Sequence, residues 1–455
     1  MSATGASASR AETASRRPVL VVVGGGFAGF GCLEGLERRL PADAAELVVV
    51  NPTDYMLYQP LLPAVAADAL EPNAIAVPLS RLRRTRLECG VVVGVDLAGR
   101  TVTVRRPHGE TAQLAWDRLV LTPGAVTRVF DVPGLADHAR GFKTLAEAVY
   151  LRDHILGQLE LAGASSDPAE RTARCTFVVV GAGYAGTEFV AQMQIFVRDV
   201  LARRPSLGPL EPHWVLADNS PHVLDHLGAR LSGHAEQVLR ERGVDVRTRT
   251  SVTEVTADRV TLTDGATLGC HTVVWTAGVE ASPLGAHTQL RTDRGRIVVD
   301  DHLTVPGHPH VFACGDAAAV PDRTRPGELC AQTAQHAERQ ARSVARNVAA
   351  SLGYGAARAY RHRNLGFVVD LGGREAVADP LHVPLVGRPA KLVTSAYHLY
   401  AVHGAANRTR VAGDWLLGAL TRHRHVALGL VPDSAATISK AERTSVYPSS
   451  TSTER

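Results

Sequence analysis

Two glycine-rich turns constrain what this chain can fold into more than any other feature. The first reads Val21-Val22-Val23-Gly24-Gly25-Gly26-Phe27-Ala28-Gly29, the second Val178-Val179-Val180-Gly181-Ala182-Gly183-Tyr184-Ala185-Gly186. Each is an apolar run feeding G-x-G-x-x-G and then a helical pattern. The first glycine permits the tight turn out of a strand, the second lets the backbone approach a pyrophosphate, and the third allows close helix–strand packing. The phosphates then sit at the positive end of a helix dipole. A tight turn without a ligand explains one such motif. Two in one chain point to two dinucleotides, and most simply to electron transfer between them.

The surrounding periodicity completes each unit. Phe30, Leu33, Leu36 and Leu40 fall at helical spacing, and Pro41 stops that helix. Leu47 to Val50 reads as a strand ending at Asn51, a polar residue where a ribose should lie. In the second unit Glu188 to Leu201 reads as a long helix, and Trp214 to Ala217 as a strand ending at Asp218. Asp218 can accept hydrogen bonds from a ribose 2′-hydroxyl and repel a 2′-phosphate, and Asn219 and Ser220 supply no arginine. NADH is therefore expected over NADPH.

β-rich stretches follow each unit (Val91 to Val95 and Thr101 to Arg105; Val244 to Val255 and Val260 to Leu268), closing on matched T-x-G turns at Thr122-Pro123-Gly124 and Thr276-Ala277-Gly278. Further on, Val311 to Ala313 leads through Cys314 to Gly315-Asp316. A carboxylate there can accept a hydrogen bond from the ribityl hydroxyls of a flavin; a simple helix N-cap is the alternative. This order predicts an α/β fold with two Rossmann-like dinucleotide-binding domains, the NAD domain inserted in the FAD domain, plus a small C-terminal domain. The expected bounds are a disordered tail at 1–17, an FAD-binding domain at 18–145 and 291–355, an NADH-binding domain at 146–290, a C-terminal domain at 356–432 and a tail at 433–455.

Composition narrows the classes. A chain of 455 residues that is 45% hydrophobic can bury sizeable cores in two or three domains. A net charge of +4 is too mild to argue for nucleic acid, and no aromatic–basic interleaving occurs. The 6 cysteines are scattered without a C-x-x-C pair, which argues for a reducing, cytoplasmic compartment and against metal binding or disulfide chemistry. The Ser-, Ala- and Arg-rich start has no apolar centre and cannot be a secretory signal, and no uninterrupted apolar run is long enough to span a bilayer.

Together these residues resemble the two-dinucleotide-domain flavoprotein reductases, and within them the type II NADH dehydrogenases, single-subunit NADH:quinone oxidoreductases that do not pump protons. The resemblance covers roughly residues 18 to 432. Asp54-Tyr55-Met56-Leu57-Tyr58-Gln59-Pro60-Leu61-Leu62 is similar to the family's flavin-side N-Y-x-x-F-Q-P-L-L segment, and Thr333-Ala334-Gln335-His336-Ala337 to its T-A-Q-x-A segment near the quinone. Leu371-Gly372-Gly373-Arg374 resembles its I-G-K/R turn, and Asn407-Arg408 through Asp414-Trp415 its N-R…W segment.

The resemblance implies that FAD binds through Gly24, Gly26, Phe27, Ala28, Gly29, Asn51, Gln59, Thr122, Gly124, Gly315, Asp316 and Ala334. It implies NADH at Gly181, Gly183, Gly186, Asp218 and Gly278, and a quinone beside Gln335 and Arg339. Glu188 matches a family glutamate near the flavin that could orient the nicotinamide or help protons move; a solvated first-turn carboxylate is the alternative. Two positions depart from the pattern. Asn51 replaces the usual ribose acid, which removes charge assistance to FAD. Arg339 replaces the last glutamine of A-Q-x-A-x-Q, altering shape and charge at the acceptor site.

Membrane attachment would use Trp415, Leu416, Leu417 and Leu420 as an apolar helix face, Arg422 and Arg424 on lipid phosphates, and Tyr397 and Tyr400 as a neighbouring edge, on the cytoplasmic side. A helix packed on its own domain is the competing account. A homodimer fits the family, though no residue here specifies one. Rival functions are a soluble NAD(P)H-dependent ferredoxin- or rubredoxin-type reductase, a sulfide:quinone oxidoreductase using Cys314 and Cys330, and a low-turnover FAD-binding redox sensor.

Overall fold

Valine-rich runs bounded by glycine turns become buried parallel strands, because β-branched side chains suit a sheet covered on both faces. The computed structural model describes residues 16–421 and 425–438. In it Val19–Val23 lies between Glu46–Asn51 and Arg118–Leu121, all parallel, and Thr85–Cys89 and His308–Ala313 extend the sheet on either side. A short antiparallel strand, Thr304–Val305, ends this six-stranded sheet. The second sheet repeats the plan in five parallel strands ordered Arg140–Gly141, Thr272–Trp275, Thr176–Val180, His213–Asp218 and Val244–Thr248. Its strands lie in sequence between two parts of the first sheet, so the second unit is inserted in the first. An antiparallel ribbon pairing Ala125–Thr127 with Val279–Ala281 joins the units where the chain enters and leaves.

The glycine helices form as the periodicity predicts, with shifted ends. Phe27–Arg39 stops before Pro41, and Tyr184–Arg203 starts directly at the turn because Gly183 is its N-cap. Helix Ala334–Ser351 packs on the first glycine helix through small residues: a Cβ added at Gly35 would lie 2.8 Å from Ala345 Cβ. A further sheet, antiparallel and built from Val368–Asp370, Ala376–Ala378 and Leu385–Val386, carries the helix Gly387–Ala401, and the last helix, Ala405–Leu420, packs instead on that helix and on the short helix Pro72–Ile75.

One excursion controls how the units meet. Between Asn51 and Thr85 the chain leaves the first sheet, and its residues Tyr58, Leu61, Leu62, Val65, Leu70 and Ile75 join the core of the second unit. The Asn407 amide, itself buried, reaches the carbonyls of Ala74 at 3.1 Å and Ala76 at 2.9 Å, and Asp414 accepts from the Glu71 N–H at 3.0 Å. The N-R…W segment is thus a clasp on this excursion.

Two expectations about the ends need correction. Asp433 to Ile438, expected as the start of a tail, is tied to the domain: the exposed Asp433 pairs with Arg140 at 3.0 Å, and Ala436 and Ile438 are buried. Arg16 likewise pairs with Asp117 at 3.1 Å. Residues 1–15, 422–424 and 439–455, which include Arg422 and Arg424, lie outside the described residues.

The helix Leu145–Ala164, which leads into the second sheet, starts with a capping box. Thr144 Oγ1 accepts from the Glu147 N–H at 3.2 Å while the buried Glu147 carboxylate accepts from the Thr144 N–H at 2.7 Å. Thr144→Ala is expected to lower unfolding free energy by about 1 kcal/mol in urea titration.

Candidate active site

The two glycine turns superimpose in their chemistry. Gly24 and Gly181 have φ of +94° and +109°, which only glycine adopts without strain here. A Cβ at Gly29 would lie 1.8 Å from the Gly24 carbonyl oxygen, and one at Gly186 1.9 Å from that of Gly181. The threonine of each T-x-G turn seals the joint. Thr122 Oγ1 donates towards the Val23 and Gly24 carbonyls at 2.8 and 3.1 Å, and Thr276 Oγ1 towards those of Val180 and Gly181, both at 2.9 Å. The middle glycines differ from the outer ones: a Cβ at Gly26 or Gly183 would meet nothing within 4 Å. Both are N-caps that make no side-chain cap, so each helix offers free N–H groups to an open space. Gly124 and Gly278, with φ of +75° and +102°, face open space as well.

The polar residues ending the second strands, expected beside a ribose, are bonded into the glycine turns themselves. Asn51 Oδ1 accepts from the Gly25 N–H at 2.7 Å while its Nδ2 donates to the Thr53 carbonyl at 2.8 Å. Asn51 therefore locks the first turn, and its amide does what a carboxylate cannot, since one end must donate. Asp218 plays the matching part, accepting from the Ala182 N–H at 2.5 Å and the Ser220 N–H at 2.6 Å. Arg249 N–H bonds the Ser220 carbonyl at 3.0 Å. A basic residue thus stands at this turn, which local sequence could not reveal because it comes from the next strand's end.

The Gly-Asp turn meets the first glycine turn. A Cβ at Gly315, whose φ is +73°, would lie 2.9 Å from Ala28 Cβ. The Asp316 carboxylate caps no helix; Thr333, not Asp316, caps the helix that follows. No hydrogen bond reaches that carboxylate among the described residues. Burial raises its pKa, while the Lys143 ammonium and Arg296 guanidinium act the other way. An acceptor held beside the glycine turn and left open is what a polyol chain requires. Gln340, buried mid-helix, accepts from the Gly315 N–H at 2.7 Å and fixes this turn; a polar residue inside a helical stretch gave no sequence signal.

Gln59 Nε2 donates to the Lys143 carbonyl at 2.9 Å, and Phe27 stacks edge-on with Tyr58 at 5.8 Å. Tyr58 in turn bonds His398 Nδ1 at 3.2 Å, a C-terminal contact absent from the sequence reading. Glu188 is buried, not solvated: its Oε1 accepts from the Asp370 N–H at 2.7 Å, and burial pushes its carboxyl well above the usual range. Lys391 Nζ pairs with Asp370 at 2.7 Å, so Glu188 anchors the Val368–Asp370 sheet to the second glycine helix. The turn Leu371-Gly372-Gly373-Arg374 sits on the same helix, since a Cβ at Gly372 would lie 2.9 Å from Ile195 Cδ1.

Ala334 opens its helix, and Gln335 and Arg339 meet one turn apart. Arg339 Nη1 donates to Gln335 Oε1 at 3.1 Å and to the Arg363 carbonyl, while Gln335 Nε2 donates to the Gly366 carbonyl at 2.9 Å. Arg339 is thus folded back onto the chain, and both ends of the glutamine amide are satisfied. Cys314 and Cys330 are buried free thiols, burial raising the Cys330 thiol to about 11 and pushing the Cys314 thiol well up too, opposite to what a reactive thiolate needs. Among the described residues no group of three or more His, Cys, Asp and Glu could hold a metal.

Replacing Asn51 by Asp sets an oxygen against the Thr53 carbonyl while keeping the Gly25 contact. N51D is expected to weaken FAD retention by about 1–3 kcal/mol, read from flavin fluorescence on dilution. An unchanged dissociation constant would show that the amide does not secure this turn.

Comparison with known proteins agrees with this geometry. The Pyridine nucleotide-disulphide oxidoreductase family profile matches residues 18–341. The chain is 33% identical over 421 residues to the type II NADH:quinone oxidoreductase NdhA of Mycobacterium tuberculosis, covering 89% of this chain and 88% of that protein. It is 30% identical to the demethylphylloquinone reductase NdbB of Synechocystis, covering 88% and 98% respectively. Its fold matches that of NDH2 from Plasmodium falciparum, solved in complex with NADH, with a TM-score of 0.83 at 15% identity over 90% of this chain and all of that one. The chain therefore belongs to the pyridine nucleotide-disulphide oxidoreductase family, on its type II NADH:quinone oxidoreductase branch.

Proposed function

We propose that this protein is an FAD-dependent NADH:quinone oxidoreductase that does not pump protons. One observation carries the reading: two open glycine turns of the same construction, the first joined to an Asp316 carboxylate that no described residue hydrogen-bonds. When bound, FAD supplies the redox chemistry, taking hydride from NADH and passing two electrons to a quinone. Gly24, Gly26, Gly29, Thr122 and Asn51 would shape the pyrophosphate turn for FAD, and Asp316 would accept from its polyol. Gly181, Gly183 and Gly186 would do the same for NADH, whose 2′-hydroxyl would face Asp218. Glu188, just past the first turn of that helix and with its carboxyl pushed up by burial, orients the nicotinamide side and can hold a proton. Gln335, its amide fixed by Arg339, faces the acceptor.

This reading expects NADH to bleach the flavin anaerobically and a short-chain quinone to restore it within the same turnover. NADH is expected to beat NADPH in kcat/KM, with Asp218→Asn narrowing the gap through loss of charge against the 2′-phosphate. Bleaching without recovery by quinone would favour a protein acceptor, and equal efficiency with NADPH would remove the role given to Asp218.

No described helix is long and apolar enough to cross a membrane, and the attachment we propose is to the membrane surface. Leu416, Leu417 and Leu420 are 60%, 58% and 73% exposed on one helix, and Leu392 and Tyr400 are 73% and 76% exposed on its neighbour. Trp415, by contrast, packs against the core. An apolar patch of this kind marks an interaction surface, and the quinone reading makes it a lipid one, on the cytoplasmic face that the cysteine usage favours. A triple change of Leu416, Leu417 and Leu420 to Ser should abolish co-sedimentation with liposomes while flavin bleaching by NADH persists. Undiminished co-sedimentation would move the contact elsewhere.

A further inference from the structure

His425 is held between two carboxylates from distant parts of the chain. Its Nδ1 lies 2.9 Å from Asp68 Oδ2 and its Nε2 2.8 Å from Asp199 Oδ2. A neutral imidazole has one N–H and would turn a lone pair towards one of these carboxylates, so only the imidazolium satisfies both contacts. The ring is 6% exposed and meets Phe196 edge-on at 4.8 Å. Asp68 belongs to the excursion that leaves the first sheet, and Asp199 to the far end of the second glycine helix. Arg152 also pairs with Asp68 at 3.2 Å, Arg203 with Asp199 at 2.7 Å, and Arg204 bonds the His425 carbonyl.

The chain after His425 is tied along the same side. Asp153 accepts from the N–H groups of Leu428 and Gly429 at 3.0 and 2.8 Å, Asp433 bonds Tyr150 and Arg140, and Ile438 enters the core beside Trp275. Unlike these ties, the His425 contacts depend on a group that titrates near neutrality.

We propose that His425, clamped as an imidazolium between Asp68 and Asp199, is a positioning residue for the NADH half of the reaction, holding the excursion that carries Gln59 against the second glycine helix in a pH-dependent way. The proposal rests on the NADH reading of that helix. Burial alone would lower the histidine pKa, but the two aspartates raise it above its ordinary value. A group raised on folding contributes fully below its unfolded value, and the contribution is lost as pH rises through the folded value. The clamp is therefore closed at mildly acidic pH and released towards alkaline pH.

The test compares the FAD-loaded wild type with H425Q and D199N between about pH 6 and about pH 9, by thermal unfolding and by anaerobic flavin bleaching with NADH. H425Q should lower Tm by a few degrees and slow bleaching severalfold at the acidic end, and converge on wild type at the alkaline end. D199N keeps the histidine and should move the wild-type break to lower pH. Differences from wild type that stay constant across this range, or an H425Q profile equal to wild type, would overturn the clamp. Failure of NADH to bleach wild-type flavin would instead overturn the NADH reading, and the Tm profiles would still decide the clamp.

Discussion

The structure depends on a backbone contact that no side chain could share. In each unit the third glycine of the turn sits against the carbonyl of the first, at a separation where any Cβ would collide. That closeness lets the helix begin directly at the strand end, so its uncapped N–H groups and the open side of the middle glycine face one point. The T-x-G threonines then bind the neighbouring strand to the same two carbonyls. Remove the glycine and the helix must retreat, taking the anion-binding geometry with it.

Apolar burial builds the two sheets and seats the excursion in the core of the second unit, but does not alone settle their mutual placement. Placement rests on a few buried polar contacts between segments far apart in sequence: Glu188 with the Asp370 N–H, Tyr58 with His398, Asn407 with the excursion carbonyls, and His425 with its two aspartates. A polar group in a desolvated joint tolerates few alternatives, because losing its partner costs about 1–3 kcal/mol. Such joints therefore select one arrangement of the domains where sliding apolar surfaces would allow several.

The same joints change the meaning of two positions that depart from the family pattern. Asn51 is not merely a ribose acid without its charge, since its amide nitrogen is spent on Thr53 and its oxygen on the glycine turn. Arg339 does not project as a free cation into an acceptor site; it orients Gln335 and bonds the linker carbonyl of Arg363. The buried thiols, with pKa values raised by desolvation, leave the sulfide-oxidising alternative without its cysteine pair.

The fold class, the insertion of one nucleotide unit in the other, and the two glycine turns were legible in the sequence because their signals are local. Strand runs, turn glycines and helix stops are written within about ten residues of each other, and each obeys a short-range steric rule. The burial of Glu188, the clasp by Asn407, the Gln340 support beneath Asp316, Arg249 at the Asp218 turn and the packing of Asp433 to Ile438 were not legible. Each pairs groups from separate elements, and which partner a polar side chain finds depends on how whole sheets and helices stack. The sequence by itself determined that two dinucleotide turns exist. Only the tertiary structure decided which carboxylates remain open to ligands and which are consumed in holding the domains together, because that choice is made by desolvation and distance, quantities a linear pattern does not carry.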